Sequence, residues 1–370
     1  MYPVRVMADK RLTRRTLLQR SAGAAGFVTL GSLAGCGGDG NGNGNGNGNG
    51  NGNGNGNGPG SGQIPAAAQA VVQVDAQGML NDQNIRDVVN KFLDEASAQG
   101  GYSGPQTMEE ILSTAESESQ LNPQGFNSMT MFMKVEGETA VENYLGMLFT
   151  TDWSFQEMVD AAGGMGAEVE EGSYQGVSTY TTTDATGEVT MIGDLGDGSF
   201  VLGTENAVKD AIDVSTGNGN AVSGDLANYF DQTSGGYLRF ASMIPEEQVP
   251  ESGEQMNVGL QNIRFVSGSF YSEGSNLGID MNLHTNSNES ASDLSTNLEA
   301  ALNLMGSGDQ NPTAQEILDQ IEFSVNDSTV TISYVESVSK LNTYIEQYAA
   351  AAFSAGMGGG GGFNTASASA

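Results

Sequence analysis

Residues 277–284 read Leu277-Gly278-Ile279-Asp280-Met281-Asn282-Leu283-His284. Large aliphatic side chains stand at every second position with Gly, Asp, Asn and His between them. A period of two puts the aliphatic set on one face of a strand and the polar set on the other. Together with the residues before it, this run predicts one long hairpin over 262–284. The same alternation recurs at both ends of the chain. Val330, Ile332 and Tyr334 alternate with Thr329, Thr331 and Ser333, and Met129, Met131, Met133 and Val135 alternate with Thr130, Phe132 and Lys134. Shorter strands are expected at 71–75, around 174–182, 188–193 and 199–203, and at 237–242.

Between these runs the period lengthens to that of a helix. Ile85, Val88, Val89, Phe92, Leu93 and Ala96 form one apolar stripe, and Met108, Ile111, Leu112 and Ala115 form a second behind a Thr107/Glu110 capping box. Phe155, Met158, Val159 and Ala162 follow the Ser154/Glu157 box. Val208, Ala211 and Ile212 follow Thr204. Leu294, Leu298, Ala301, Leu302 and Met305 form the next stripe, then Ile317, Leu318 and Ile321 behind Asn311-Pro312, and finally Val338, Leu341, Ile345 and Tyr348. Each half of the body thus reads strand, hairpin, helix, hairpin, helix. Hairpins favour antiparallel pairing, so the expected class is α+β: hairpin-rich antiparallel sheets with helices packed on one face, in two similar halves spanning 64–216 and 217–355.

The charge balance narrows the partners. The 370 residues carry 13 Lys and Arg against 45 Asp and Glu, a formal net charge of -32. Six of the cations and one of the acids precede Cys36. Removing them leaves 7 cations and 44 acids, a net charge of -37. Such a surface repels nucleic acid and anionic headgroups. It also repels itself unless salt screens it, and at molar salt the Debye length is about 3 Å. The composition therefore suits a salt-rich medium. The acids are dispersed among periodic apolar positions, which argues against a disordered acidic chain.

The first 63 residues carry an address. Thr13-Arg14-Arg15-Thr16-Leu17-Leu18-Gln19 precedes an acid-free, weakly apolar stretch from Ser21 that ends at Leu33-Ala34-Gly35-Cys36. A basic n-region, an apolar segment too short to span stably and small residues before a cysteine resemble a twin-arginine signal with a lipobox over 1–35. The resemblance implies export through Arg14 and Arg15, a diacylglycerol thioether on Cys36, and residence on the outer face of the cytoplasmic membrane. Its partners would be the membrane and the export and lipoprotein-processing machinery. Translation could begin at Met1 or at Met7. From Asn41 to Gly58 the chain repeats Asn-Gly nine times. With nothing to pack and glycine at every second position, residues 36–63 read as a flexible tether with a reach of about 25 Å. Residues 356–370, rich in Gly and Ser, are expected to be disordered. A second likeness rests on Phe200-Val201-Leu202-Gly203-Thr204-Glu205-Asn206-Ala207-Val208 and Gly236-Tyr237-Leu238-Arg239-Phe240. These segments resemble exported lipoproteins of halophilic archaea, a family without an assigned activity; the resemblance implies a fold and a location and transfers no catalytic residue.

Chemistry-bearing residues are sparse. His284, the only histidine, falls on the polar strand face and is expected in solvent; with no Gly-x-Ser-x-Gly elbow, a Ser/His/Asp triad has no support. The single cysteine excludes an intramolecular disulfide and a cysteine-based zinc site. Asp194-Leu195-Gly196-Asp197-Gly198 lacks the ligand spacing of a calcium loop and reads as a hairpin turn. Thioethers of Met129, Met131 and Met133 could meet Cu(I), but alternation on a strand makes them packing residues. Gly163-Gly164-Met165-Gly166 closes a helix instead of opening one, so it is no phosphate loop. No cofactor is implied. Asn288-Glu289-Ser290 and Asn326-Asp327-Ser328 are glycosylation sequons. The expected function is a lipid-anchored, non-enzymatic envelope protein, a binding or structural module whose surface-layer or envelope partner stays open. The alternative is a solute- or lipid-binding lipoprotein serving a transporter, which a closed pocket would favour; a secreted hydrolase would need clustered carboxylates or a serine with its base in one cleft.

Overall fold

The computed structural model describes residues 61–98, 104–135, 144–164, 168–183, 189–233, 235–245, 259–308 and 312–356. Arg14, Arg15, Cys36, the Asn-Gly tether, Asn311 and the tail after 356 lie outside them. The class is α+β, built on one antiparallel sheet of twelve strands. In chain order the strands are β1 Ala70–Val74, β2 Phe126–Met133, β3 Leu145–Thr151, β4 Glu168–Tyr174, β5 Val177–Thr183, β6 Val189–Gly196, β7 Ser199–Gly203, β8 Leu238–Met243, β9 Ile263–Glu273, β10 Asn276–Thr285, β11 Ile321–Asn326 and β12 Thr329–Ser337. Their spatial order is β11-β12-β10-β9-β8-β1-β2-β3-β7-β6-β5-β4. The pair β1 and β8 sits at the centre and joins the first and second halves of the chain in a single sheet.

Tight turns set the registers. The run expected as one strand around 174–182 is two strands, β4 and β5, because Gln175 and Gly176 both adopt positive φ, 50° and 83°. That is the primed turn whose twist matches a hairpin. Asp197 and Gly198, at 53° and 72°, make the same turn between β6 and β7, so the Asp194–Gly198 segment is a hairpin connection. At three places an aromatic ring lies over a cross-strand glycine: Phe132 over Gly146, Phe240 over Gly268 and Tyr271 over Gly278. A Cβ on Gly268 would sit 2.9 Å from two atoms of the Phe240 ring. The rings replace the missing side chains and pin the register.

Nine helices are seen among the described residues: α1 Ala76–Asn81, α2 Gln83–Ala98, α3 Met108–Ser119, α4 Phe155–Gly164, α5 Glu205–Ser215, α6 Asp225–Gln232, α7 Asn288–Gly308, α8 Pro312–Asp319 and α9 Val338–Gly356. The Ser154/Glu157 box closes in both directions: the Ser154 N–H donates to Glu157 Oε2 at 2.7 Å and the Glu157 N–H to Ser154 Oγ at 3.3 Å. Most helices pack on the face that carries Val74, Met129, Phe149, Leu277 and Leu283, here the upper face. There α1 and α4 close over Phe126, Met129, Phe149 and Phe200, α2 and α9 over Leu277, and α7 over Leu283 and Val330. On the lower face α5 and α6 add a second layer. Ala207, Val208, Ala211 and Ile212 of α5, with Leu226, Ala227 and Phe230 of α6, bury Val71, Phe132, Leu148, Val201 and Ala241.

The two sheet edges differ. Edge strand β4 presents the exposed acids Glu170 and Glu171, whereas edge strand β11 presents Phe323 and Val325 on the upper face, with Val325 exposed.

An apolar row and a chamber as the candidate functional site

The registers align one residue from each strand into a row across the upper face: Phe323, Ile332, Met281, Gly268, Phe240, Val72, Met131, Met147, Leu202, Ile192, Tyr180 and Glu171. At ordinary strand spacing the row is about 50 Å long. It carries no charge until its last member, in a chain with 45 acids. Apart from buried Gly268 and exposed Glu171, every member is half-buried.

The helices explain why burial stops halfway. Over the first half of the chain α4 descends onto the row's far end, where Phe155 meets Tyr180 edge to face at 4.8 Å. Met131, Met147 and Leu202 lean against that packed cluster. Over the second half, α2, α9, α8 and α7 form an arch. Lys91 on α2 binds Glu346 on α9 at 2.5 Å. The Thr313 hydroxyl on α8 donates to Gln347 on α9, and a Cβ added to Gly306 of α7 would meet Leu318 of α8 at 3.7 Å. The arch is tightly packed at its two feet. Leu283, Leu294 and Val330 are fully buried at one, and Ile85, Leu277 and Val338 are buried at the other.

Between the feet the apolar floor residues are only half-buried, although Tyr344 of α9 is 6% exposed. On the floor Met281, Ile332, Tyr334 and Phe323 are half-buried and Ile279, in the inner strand β10, keeps 45% of its surface exposed. On the arch Leu341 and Ile345 of α9, Ile317 and Leu318 of α8, and Leu298 and Leu302 of α7 are all half-buried. Interiors close to crystal-like density when apolar surfaces meet. Apolar side chains on floor and arch that keep part of their surface exposed leave an incompletely covered apolar surface between the feet.

A polar cluster of Glu336, Tyr344, Lys340 and Glu316 adjoins this surface. Glu336, on the upper face two residues beyond Tyr334, is 7% exposed. Its Oε1 accepts the Ser337 N–H at 2.7 Å, and its Oε2 accepts the Tyr344 hydroxyl at 3.3 Å with Lys340 Nζ at 3.5 Å. Tyr344 also reaches Glu316 Oε2 on α8 at 3.4 Å. Burial pushes the Tyr334 phenol up to about 12, with the Glu336 charge adding to the shift.

The lower face behaves differently. His284 is buried, 6% exposed, which corrects the expectation that it faces solvent. Its Nε2 lies 3.1 Å from Ser267 Oγ and its Nδ1 3.2 Å from Thr329 Oγ1, and the ring stacks on Tyr229 of α6 at 3.4 Å. Burial lowers its pKa to about 4, so the ring is neutral. Helix α6 was not foreseen from the sequence, and the exposure of His284 was misjudged for that reason. No serine nucleophile with a carboxylate-oriented base surrounds the ring: both of its nitrogens are engaged by hydroxyls. Nearby, Arg239 lies over Phe230 at 4.4 Å and donates through Nε to Gln73.

The other foreseen residues are scattered. Asn288 opens α7 and Asn326 ends β11, both exposed. Of the three alternating methionines, Met129 is buried while Met131 and Met133 remain half-buried on the upper face. Among the described residues no three His, Cys, Asp or Glu side chains converge as a metal site, and no helix is long and apolar enough to cross a membrane.

No family model matches the chain, and no curated protein matches it. Among solved structures, three crystal forms of TP0453 superpose on it. Form III gives a TM-score of 0.42 at 7% identity, covering 78% of this chain and 98% of that one. Form IV gives 0.41 at 6%, covering 78% and 96%, and form I gives 0.39 at 8%, covering 78% and 97%. The superposition is too loose and the identity too low for a property to be carried across.

Proposed function

We propose that this protein is a non-enzymatic binding module that holds the apolar chain of an amphiphile in a chamber between the sheet and α2, α9, α8 and α7, and that it works on the outer face of the cytoplasmic membrane, tethered through a lipid on Cys36. The observation that carries the binding role is the uncharged, half-buried lining shared by floor and arch. Each methylene moved from water into such a lining contributes about 0.8 kcal/mol. Half-buried Met281 on the floor adds a surface that adapts to ligands of varied shape. The address rests on the signal, lipobox and tether read from residues 1–63. A thioether-linked diacylglycerol supplies the two chains that stable anchoring needs.

The test of binding is the fluorescence of Nile red added to the full chain in molar KCl. Enhancement is expected, and Ile279→Glu should abolish it while the protein still melts cooperatively, because that position already faces open space. A folded wild-type protein that leaves the dye dark would overturn the proposal. The address is tested separately: Cys36→Ser should move the protein from the detergent phase to the aqueous phase, and Arg14→Lys with Arg15→Lys should stop export.

A further inference from the structure

Resting on the extracellular address, we propose that Asn326 carries an N-linked oligosaccharide, that Asn288 does not, and that this glycan guards the open edge of β11 against strand addition. The two sequons meet at one end of the sheet: the N–H and the hydroxyl of Thr285, at the end of β10, both donate to the Ser328 carbonyl, at 2.8 and 2.9 Å. Both asparagines are exposed. Their surroundings differ. An acceptor sequon belongs in a surface loop or turn, where the asparagine amide and the hydroxyl two residues on can be reached together. Asn288-Glu289-Ser290 is instead the first turn of α7. The Ser290 hydroxyl donates to Asn286 Oδ1 at 2.8 Å and accepts the Ser287 hydroxyl at 2.9 Å, and the Ser290 N–H donates to Ser287 Oγ at 3.1 Å. Freeing that hydroxyl undoes a helix cap, and Ala291 and Leu294 just beyond it are fully buried.

Asn326-Asp327-Ser328 is the connection between β11 and β12. Asn326 pairs with Thr329 across it, and Asp327 takes φ 50°. Asn326 and Asp327 are exposed, and no hydrogen bond is seen for the Asn326 amide or the Ser328 hydroxyl. The turn is held through the Ser328 carbonyl, which leaves the acceptor groups free. Transfer joins Asn326 Nδ2 to the anomeric carbon of an oligosaccharide carried on a polyprenyl phosphate. The bond from that carbon to the phosphate oxygen breaks, its electron pair leaves with the phosphate, and the proton shed by Nδ2 ends on the leaving group. The position gives the product a task. Strand β11 is bonded to β12 on one side only, and Val325 beside the acceptor is 42% exposed. Such an edge invites another strand. At the far edge Glu170 and Glu171 repel by charge, which molar salt screens within about 3 Å. A hydrated oligosaccharide repels by volume, and salt does not screen volume. Rooted at the last residue of β11, it stands where an incoming strand would begin its pairing.

The protein is recovered from its native membrane in molar KCl and digested after glutamate, which places Asn326 in residues 323–336 and Asn288 in residues 274–289. The first peptide should carry the added mass of an oligosaccharide and the second should be bare. Ser328→Ala, which keeps the asparagine, and Asn326→Gln, which keeps the serine, should each erase the added mass. A bare 323–336 from protein whose Cys36 bears its lipid would overturn the site and leave the address intact, and a bare 323–336 with an unlipidated Cys36 would overturn both. A glycan on 274–289 would overturn the choice between the sequons. The guard is read by sedimentation in molar KCl: the Ser328→Ala protein should form oligomers at concentrations that leave the wild type dispersed, and adding Val325→Lys should disperse it again. A Ser328→Ala protein that sediments as the wild type does, or oligomers that persist with Val325→Lys, would overturn the guard role.

Discussion

The lower face under α5 and the upper face under the arch use the same kind of residue and reach different ends. Under α5, small apolar side chains interlock with the sheet: Ala207, Val208 and Ile212 have no exposed surface, nor do Val71, Val201 and Phe132 opposite them. Under the arch, larger apolar side chains on floor and helices keep part of their surface exposed, with Tyr344 the buried exception. Composition does not separate the two regions, because Val, Ile, Leu and Met line both. Completeness of burial does. A core shields its apolar groups from water whatever else happens, whereas a lining kept half open gives up stability that something other than folding must justify.

The comparison can be broken first with salt, which acts on both regions at once. Repulsion among the acids opposes the compact state, so thermal unfolding of residues 64–355 should be non-cooperative in dilute buffer and cooperative in molar KCl, with chelator present throughout. A melting temperature unchanged across the series would remove electrostatics from the account. Next, Phe230→Ala and Ile212→Ala on the lower face should each cost about 3–5 kcal/mol in denaturant titrations, as cavities in closed cores do. Ile279→Ala should cost less than about 1 kcal/mol, because the side chain has little buried surface to lose. Similar costs for the two sets would show that the arch is as closed as the core.

A third test exploits His284. Its folded pKa, about 4, lies below the usual 6.5. The unfolded chain therefore binds the proton more tightly, and the stability held by the neutral ring is complete above pH 6.5 and lost as pH falls towards 4. The loss is at most about 3 kcal/mol. His284→Asn should flatten this part of the stability profile relative to the wild-type protein, and parallel profiles would show that the ring takes up its proton without leaving its place on Tyr229. The smallest expected effect is at Thr331, whose buried hydroxyl has no hydrogen-bond partner. Thr331→Val should be neutral or stabilising by about 1 kcal/mol, since the desolvated hydroxyl is not repaid; a clear loss would reveal a partner.

Much of this fold was legible in local periods. Alternation at 277–284 and 129–135 located β10 and β2, and the Ser154/Glu157 box located the start of α4. The period-two reading also placed Ile279 and Met281 on one face and His284 on the other. What it missed has a physical cause. Helix α6 offers eight residues with only Leu226, Ala227 and Phe230 buried, too short a stripe to stand out. The primed turn at Gln175-Gly176 lacks the Asn or Asp that usually marks it. The apolar row could not be read at all, because it exists only once eleven registers are fixed, and those depend on pairings between residues far apart in the chain. The central pairing, Val72 with Phe240, joins positions 168 residues apart. Glu336 was one acid among many until the structure buried it opposite Leu277.

The unlike edges of the sheet carry a consequence for the protein at high concentration. Edge strand β4 bears Glu170 and Glu171, which discourage another strand from adding there by charge alone, while β11 has Phe323 and Val325 in reach of a neighbour. An open strand edge is a template for self-association unless something blunts it. Salt that screens the acids enough for the chain to fold also weakens the guard on β4, and it strengthens contact between apolar groups at β11. If salt favours the folded chain, the same medium also lowers the barrier to oligomers that grow from the sheet's ends. A concentrated solution of such molecules would then remain dispersed over a window of ionic strength, bounded below by unfolding and above by edge-to-edge association.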